Sequence, residues 1–177
     1  MSQTDFRILG MCVVKNEADI IEECLLSAQK WCDRIFILDN GSNDGTWEIV
    51  QKMRNECIVP WKQDARPFRD PLRGLLFNAF HDEVRPNDWW CRLDADEFYI
   101  DEPRKFLSGI SRFHRVVWGL AIEYYLTQED VERIDFSEPL QRYCPNCDTT
   151  APPILKSASF DITRGINGLK IVHGQFT

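Results

Sequence analysis

"RILGMCVVKNEADIIEECLLSAQKWCDRIFILDNGSNDGT", residues 7–46, changes its apolar period twice in one short stretch. It opens on "RILGMCVV", a nearly continuous apolar run of the kind found in a strand buried on both faces. Ile21, Cys24, Leu25 and Ala28 then recur at helical spacing, and "RIFIL" (34–38) returns to a buried-strand pattern. "DNGSNDGT" (39–46) is made of turn formers and is expected to deliver Thr46 as the cap of a second helix carrying Trp47, Val50 and Met53.

The alternation continues outward. "CIVPW" (57–61) reads as a third strand, and Leu72, Leu75, Leu76, Ala79 and Phe80 form a helical stripe. "DWWCRL" (88–93) reads as a fourth strand, "EPRKFLSGI" (102–110) as a helix and "RVVWGLAIEYY" (115–125) as strand-like. Strand and helix in succession predict the α/β class, a mostly parallel sheet with helices on both faces. In such sheets ligands bind beyond the carboxyl ends of the strands. Three polar clusters stand at those ends: "KNEAD" (15–19), "DNGSNDGT" and "DADE" (94–97). From about Ser137 the pattern weakens into "SEPLQRYCPNCDTTAPP", which reads as a long loop or flap, before "PILKSASFDI" and "LKIVHG" resume short strand-like runs.

Composition bounds the function. The chain has 177 residues, 44% of them apolar and 12% aromatic, enough for one domain with a sizeable core. A net charge of -7 and a pI near 5.0 give no electrostatic footprint for nucleic acid or an anionic membrane. The first residues carry no secretory pattern and no run approaches a membrane span, so a cytoplasmic protein without a transmembrane segment is expected. Seven cysteines, several inside apolar runs, argue against a disulfide framework. Cys144 and Cys147 in "CPNC" have zinc or redox spacing, but no second such pair accompanies them, and two quiet loop thiols is the plainer reading.

"RLDADEFY" (92–99) places Asp94, Asp96 and Glu97 directly behind the aromatic strand. Carboxylates crowded at the edge of a core repel one another and lose hydration, which calls for a cation or strong donors. Asp94 and Asp96 straddle one residue, so both side chains can point to one side and suit Mg2+ or Mn2+, which take one or two carboxylates plus phosphate oxygens and water. A solvated acidic turn is the plain alternative. A phosphatase of the haloacid dehalogenase type needs Thr or Val where Phe98 stands, and a calcium loop needs a polar ligand at Phe98 and Gly at Tyr99. Asp39, at a strand end, can accept the imide N–H of a pyrimidine, and Gly41 and Gly45 let backbone approach a ligand. Asn16 and Glu17 serve equally for helix capping or for ligand binding. Arg73 has surface charge as its plain alternative, and His173 behind "LKIV" has a structural role as its own.

"VVKNEADIIEECLLSAQKWCDRIFILDNGSNDGTWEIV" resembles the amino-terminal half of a family 2 glycosyltransferase of the GT-A fold, including the Asn-Glu pair and the D-x-G-S-x-D-G-T pattern. "RGLLFNAFHDEVRPNDWWCRLDADEFY" resembles the segment that follows, with Gly74 and Asn78 leading to the Asp-x-Asp signature. The likeness covers roughly residues 8 to 125 and rests on three motifs in order. It implies a single GT-A domain over 1–177, with 1–100 as the nucleotide-binding half and 101–177 as the acceptor side, shortened at its carboxyl end. It implies a nucleotide-sugar donor, a UDP-sugar foremost, a glycan, lipid-linked or other hydroxyl acceptor, Mn2+ or Mg2+, and inversion at the anomeric carbon. Lys15, Glu17, Asp39, Arg73 and Asp94 become the donor-binding candidates, with Asp39 on the base and Asp94 on the ribose or a metal-bound water. Asp96 and His173 become the metal candidates. Asn40 stands where a second Asp is frequent, and Lys15 where an aromatic often packs on the base. The acceptor base is Glu123 in first place, with Asp135, Glu138 and Asp161 open. Two other classes compete: a nucleotidyltransferase, which would need a Gly-rich basic loop behind the first strand, and a domain that binds a nucleotide sugar without turnover.

Overall fold

The computed structural model describes residues 5–67, 71–99, 101–111, 113–122 and 155–164; for Pro71 and for 118–122 and 155–164 the description is of the backbone. Two compact units divide the chain, Met1–Val117 with Phe160–Thr177 and, separately, Trp118–Ser159. The second contributes backbone strand at 118–122 and 155–159.

The elements follow the alternation read from the sequence: β1 (Ile8–Val14), α1 (Ile21–Ala28), β2 (Arg34–Asp39), α2 (Thr46–Lys52), β3 (Ile58–Gln63), α3 (Pro71–Phe80), β4 (Trp89–Leu93), α4 (Pro103–Gly109), β5 (Val116–Ile122) and β6 (Leu155–Arg164). The strand order is β3-β2-β1-β4-β6-β5. β1 pairs in parallel with β2 and with β4, β2 pairs in parallel with β3, and β6 pairs antiparallel with β4 through Ile162, Thr163 and Arg164. This is the mostly parallel α/β sheet the alternation predicts. Pro60 sits within β3, which as an edge strand needs no second set of amide donors.

Strand alternation sorts the core into two layers. Ile8, Cys12 and Val14 of β1 join Ile35, Ile37, Trp89, Cys91 and Leu93 on the face covered by α1, α2 and α4, which contribute Ile21, Leu25, Val50 and Leu107. Leu9, Met11 and Val13 join Phe36, Leu38 and Trp90 on the face covered by α3, which contributes Leu72, Leu76 and Phe77. All seven β1 residues are buried, as a central parallel strand requires. Each large aliphatic side chain buried in this way contributes roughly 1.5–3 kcal/mol.

α1 buries the four residues its spacing marked. In α3, however, Ala79 is exposed and Phe77 takes its place. The buried arc is centred on the 72–76–80 row and leans to the 73–77 side, because the Phe77 ring packs at 5.3 Å on Trp90. Thr46 is the first residue of α2 rather than its cap. Gly45, with φ of 100°, precedes it, and Asp44 Oδ1 accepts the Thr46 amide at 3.0 Å.

Two carboxylates lock the edges of this core. Asp88, fully buried ahead of β4, accepts the Arg7 backbone amide (2.8 Å), Arg7 Nε (2.9 Å), Arg7 Nη2 (2.6 Å) and the Arg85 amide (2.9 Å). Asp33 Oδ2 accepts the Ile8 amide at 2.7 Å and Arg104 Nη2 at 2.5 Å, tying the start of β1 to α4.

Asp88→Ala removes the acceptor for four N–H groups in one step. Because Arg7 is a quarter exposed and can rehydrate, the expected loss is about 3 kcal/mol, the low end for breaking a buried ion pair, read from the urea midpoint. Gly10→Ala would place a methyl 2.5 Å from Leu93 Cδ1 and 3.5 Å from Cys32 Sγ, and forcing Leu93 aside is expected to cost about 1–3 kcal/mol in the same measurement.

Candidate active site

β1 is bonded on one side to β2 and on the other to β4, so the chain after β1 stands at the point where the strand order reverses. At such a point the loops on the two sides part and leave a crevice beyond the carboxyl ends. The register brings Val14 opposite Asp39 and Cys12 opposite Leu93, which fixes where each of the three polar clusters begins.

The first two clusters are stapled together. Asn16 adopts a left-handed conformation, φ 55°, which Asn tolerates better than most residues. Its amide donates to Ser42 Oγ (2.9 Å), and its Oδ1 accepts the Asn43 amide (2.9 Å). The Glu17 amide donates to Thr46 Oγ1 (2.8 Å), the Ala18 amide to Asp44 Oδ2 (3.0 Å), and the Thr46 hydroxyl donates to Asp44 Oδ1 (2.6 Å). Burial pushes the Asp44 carboxyl up, but the hydrogen bonds from Thr46 and Ala18 outweigh it and hold the carboxyl below its ordinary value. The Thr46 hydroxyl therefore serves the loop after β1 as well as Asp44. Asn16, Ser42, Asn43 and Asp44 hold Lys15 and Glu17 in position from outside.

The first and third clusters enclose a cavity of about 190 Å3. Val13, Val14 and Ala95 form its apolar part, Glu17 and Asp96 supply negative charge, and Lys15 and Arg73 supply positive charge around Asp94. Asp94 is gripped by two guanidinium groups: Arg73 Nη2 meets Oδ1, while Arg92 Nε (2.9 Å) and Nη2 (2.6 Å) meet Oδ2. Arg73 comes from the first turn of α3 and is only 8% exposed, so its charge is directed into the protein and the cavity rather than into bulk solvent. Arg92 was not singled out by sequence reasoning. The signal was present, since two residues apart on a strand means the same side.

Asp96 is exposed and lines the same cavity as Glu17. Burial first, then the negative charges of Asp96, Asp19 and Asp44, push the Glu17 carboxyl above its ordinary value. No cluster of three or more His, Cys, Asp and Glu with metal-binding geometry occurs among the described residues. Of the residues lining the cavity, Glu17 and Asp96 are the carboxylates that could serve as oxygen ligands to a Mg2+ or Mn2+ ion.

Asp39 does not line this cavity; it lies at the neighbouring strand end, fully buried. Its Oδ1 accepts the Gly41 and Ser42 amides at 2.9 Å each and Gln63 Nε2 at 3.3 Å. Its Oδ2 is buried with no hydrogen-bond partner. An unmet buried acceptor costs about 1–3 kcal/mol, which a ligand N–H would offset.

The structure thus gathers Lys15, Glu17, Arg73, Asp94 and Asp96 around one cavity and sets Asp39 beside it on the next strand. Glu123, Asp135, Glu138, His173 and the Cys144–Cys147 pair lie outside the described residues, and Asp161 falls in β6, where the backbone alone is described. Among the described cysteines, Cys12, Cys24, Cys32 and Cys57 carry free thiols. Burial pushes the Cys24 thiol up to about 12 and Cys57 to about 11, and raises Cys12 and Cys32 well above the ordinary range, so these four are packing residues rather than nucleophiles. Among the described residues no helix is long and apolar enough to cross a membrane.

Comparison with known proteins gives the family. Over 92 residues the chain is 28% identical to an uncharacterized glycosyltransferase of Rickettsia bellii, which covers 51% of this chain and 28% of that protein. Over 109 residues it is 27% identical to an uncharacterized glycosyltransferase of Rickettsia prowazekii, covering 61% of this chain and 34% of that protein. A TPR repeat-containing protein of Synechococcus elongatus is 28% identical over 96 residues, 53% of this chain and 22% of its own length. The matched region thus spans about a third or less of each of these relatives. Residues 12–150 match glycosyl transferase family 2, more than half of the chain. Because that match begins within β1 and runs past the last acidic residue of the cavity, the chain belongs to glycosyl transferase family 2.

Proposed function

We propose that this chain carries the donor site of an inverting glycosyltransferase that moves a sugar from a nucleoside diphosphate, UDP foremost, to an acceptor hydroxyl with the help of Mn2+ or Mg2+. The observation that carries the reading is the pairing of charge in one cavity: Glu17 and Asp96 beside Lys15 and Arg73, at the point where the strand order reverses. At about 190 Å3 the cavity is smaller than the roughly 300–1,000 Å3 that encloses a whole ligand, and it suits the diphosphate end of a longer donor.

Each side chain has work that follows from its surroundings. Departure of a nucleoside diphosphate builds negative charge on phosphate oxygens, so groups that meet that charge lower the barrier when they hold the transition state more tightly than the ground state. Arg73, locked by Asp94, is preorganised to do this, and Lys15 adds a mobile ammonium at the mouth. A divalent cation held by Asp96 and Glu17, with His173 as a further ligand, would supply the remaining neutralisation of the leaving group. Asp94 is turned toward Arg73 and Arg92, so its part is to orient Arg73 and to meet a donor hydroxyl. The unpartnered Oδ2 of Asp39 is an acceptor for the imide N–H of a uracil. A carboxylate must also take the proton of the attacking hydroxyl, and Glu123, directly after β5 in sequence, is the candidate.

Asp96→Ala is expected to lower transfer by about 100-fold or more and to weaken calorimetric UDP binding in Mn2+ by at least about 10-fold. Its urea midpoint stays within error of the parent, because the side chain is exposed. Unchanged binding and transfer would sink the role of the cavity. Asp94→Asn behaves differently: it half-unpairs Arg73 and Arg92, with an expected stability loss of about 1–3 kcal/mol and a UDP affinity loss that raising the Mn2+ concentration does not restore.

A further inference from the structure

Asn40 follows Asp39 and is 1% exposed. Its side-chain Nδ2 donates to two backbone carbonyls beyond β3, Asp64 O and Arg66 O, each at 2.7 Å. Its own amide donates to Val14 O at 2.7 Å, and the Asp64 amide donates to Asp39 O at 2.7 Å. Gly41 completes the contact: at φ +78°, a Cβ placed there would stand 3.0 Å from Ala65 Cβ and 3.1 Å from Ala65 Cα. The 64–66 segment is braced from outside as well, by Arg66 Nε (2.8 Å) and Nη2 (2.6 Å) and by Lys62 Nζ (3.3 Å) on the Asp64 carboxylate. Segment 64–66 therefore lies as a wall against the end of β2.

Two carbonyl oxygens converging on one atom demand a group with two donors, and the Asn amide supplies them. A carboxylate at position 40 would set acceptor against acceptor in a site almost closed to water. The amide thus answers a demand of this chain's own 64–66 segment.

We propose that Asn40 is a positioning residue: by clamping the Asp64 and Arg66 carbonyls it holds the 64–66 wall beside Asp39 and so sets recognition of the donor's nucleobase. The inference rests on the glycosyl-donor reading above. Asp39 bears the buried, unpartnered Oδ2, and two of the groups around it, Gln63 Nε2 and the Asp64 amide, belong to the segment that Asn40 clamps or to its immediate neighbour. The diphosphate cavity is built from other elements, the loops after β1 and β4 and the start of α3. Loss of the clamp should therefore act on the base and spare the diphosphate.

The full chain and its Asn40→Asp and Gly41→Ala variants are titrated in Mn2+ with inorganic pyrophosphate and with whichever of UDP, dTDP and GDP the parent binds most tightly. Asn40→Asp is expected to weaken the nucleotide by about 10-fold or more while pyrophosphate affinity stays within about twofold. Gly41→Ala, which strains a left-handed backbone position and presses on Ala65 without adding charge, is expected to move the two ligands in the same unequal way and is the decisive variant if Asn40→Asp fails to fold. Equal losses for both ligands, as a purely structural role would give, overturn the proposal, and so does an unchanged nucleotide affinity. A parent chain that binds none of the three nucleotides overturns the donor reading itself, and this inference with it.

Discussion

β1 is bonded along its length to two parallel neighbours, and everything else about the site depends on that constraint. A strand saturated on both edges cannot slide without breaking two ladders, so Val14 stays opposite Asp39 and Cys12 opposite Leu93. The chain leaves β2 toward β3 on one side and returns through α3 to β4 on the other, so the crevice must open between the loops after β1 and β4. The apolar layers on both faces hold this arrangement rigid, with six of the seven buried residues of β1 divided between them. The GT-A type of α/β sheet thus provides a fixed frame on which loops of quite different chemistry meet.

Charge is concentrated on that frame around one cavity. On one side of the cavity Asp94 is met by both Arg73 and Arg92. Glu17 and Asp96 line the same cavity, and burial first, then the charge of Asp96, raises the Glu17 carboxyl. Carboxylates and cationic side chains are thus brought to one small cavity, which the Asp-x-Asp pattern alone does not state. Preorganisation matters more than the count of charges, since a guanidinium already held in place needs no reordering to meet an anion.

Much of this was legible in the residues. The switch from strand to helical period in residues 7–46, and again around Leu72–Phe80 and "DWWCRL", marked the elements and their order, because burial on one face or both imposes a period that side chains must obey. Glu17, Asp94 and Asp96 drew attention because they follow buried strands, and the family resemblance added Lys15 and Arg73. Two local details came out otherwise: Thr46 is drawn into the staple between loops instead of capping α2, and Phe77 displaces Ala79 from the core to meet Trp90. Both turn on partners far away in the chain, where local spacing carries no information.

What the sequence determined by itself is therefore the α/β class, the strand ends and the types of charge delivered there, since these follow from periodicity and turn chemistry within a few residues. Which charges face one another was decided only by the tertiary structure. Asp94 lies between Arg73 and Arg92, the loops after β1 and β2 are joined through Asn16, Ser42 and Thr46, and Asn40 reaches across to Asp64 and Arg66. Hydrogen bonds of this kind depend on distances of about 3 Å between atoms brought together by sheet register and helix packing, and those distances exist only once the whole chain has folded.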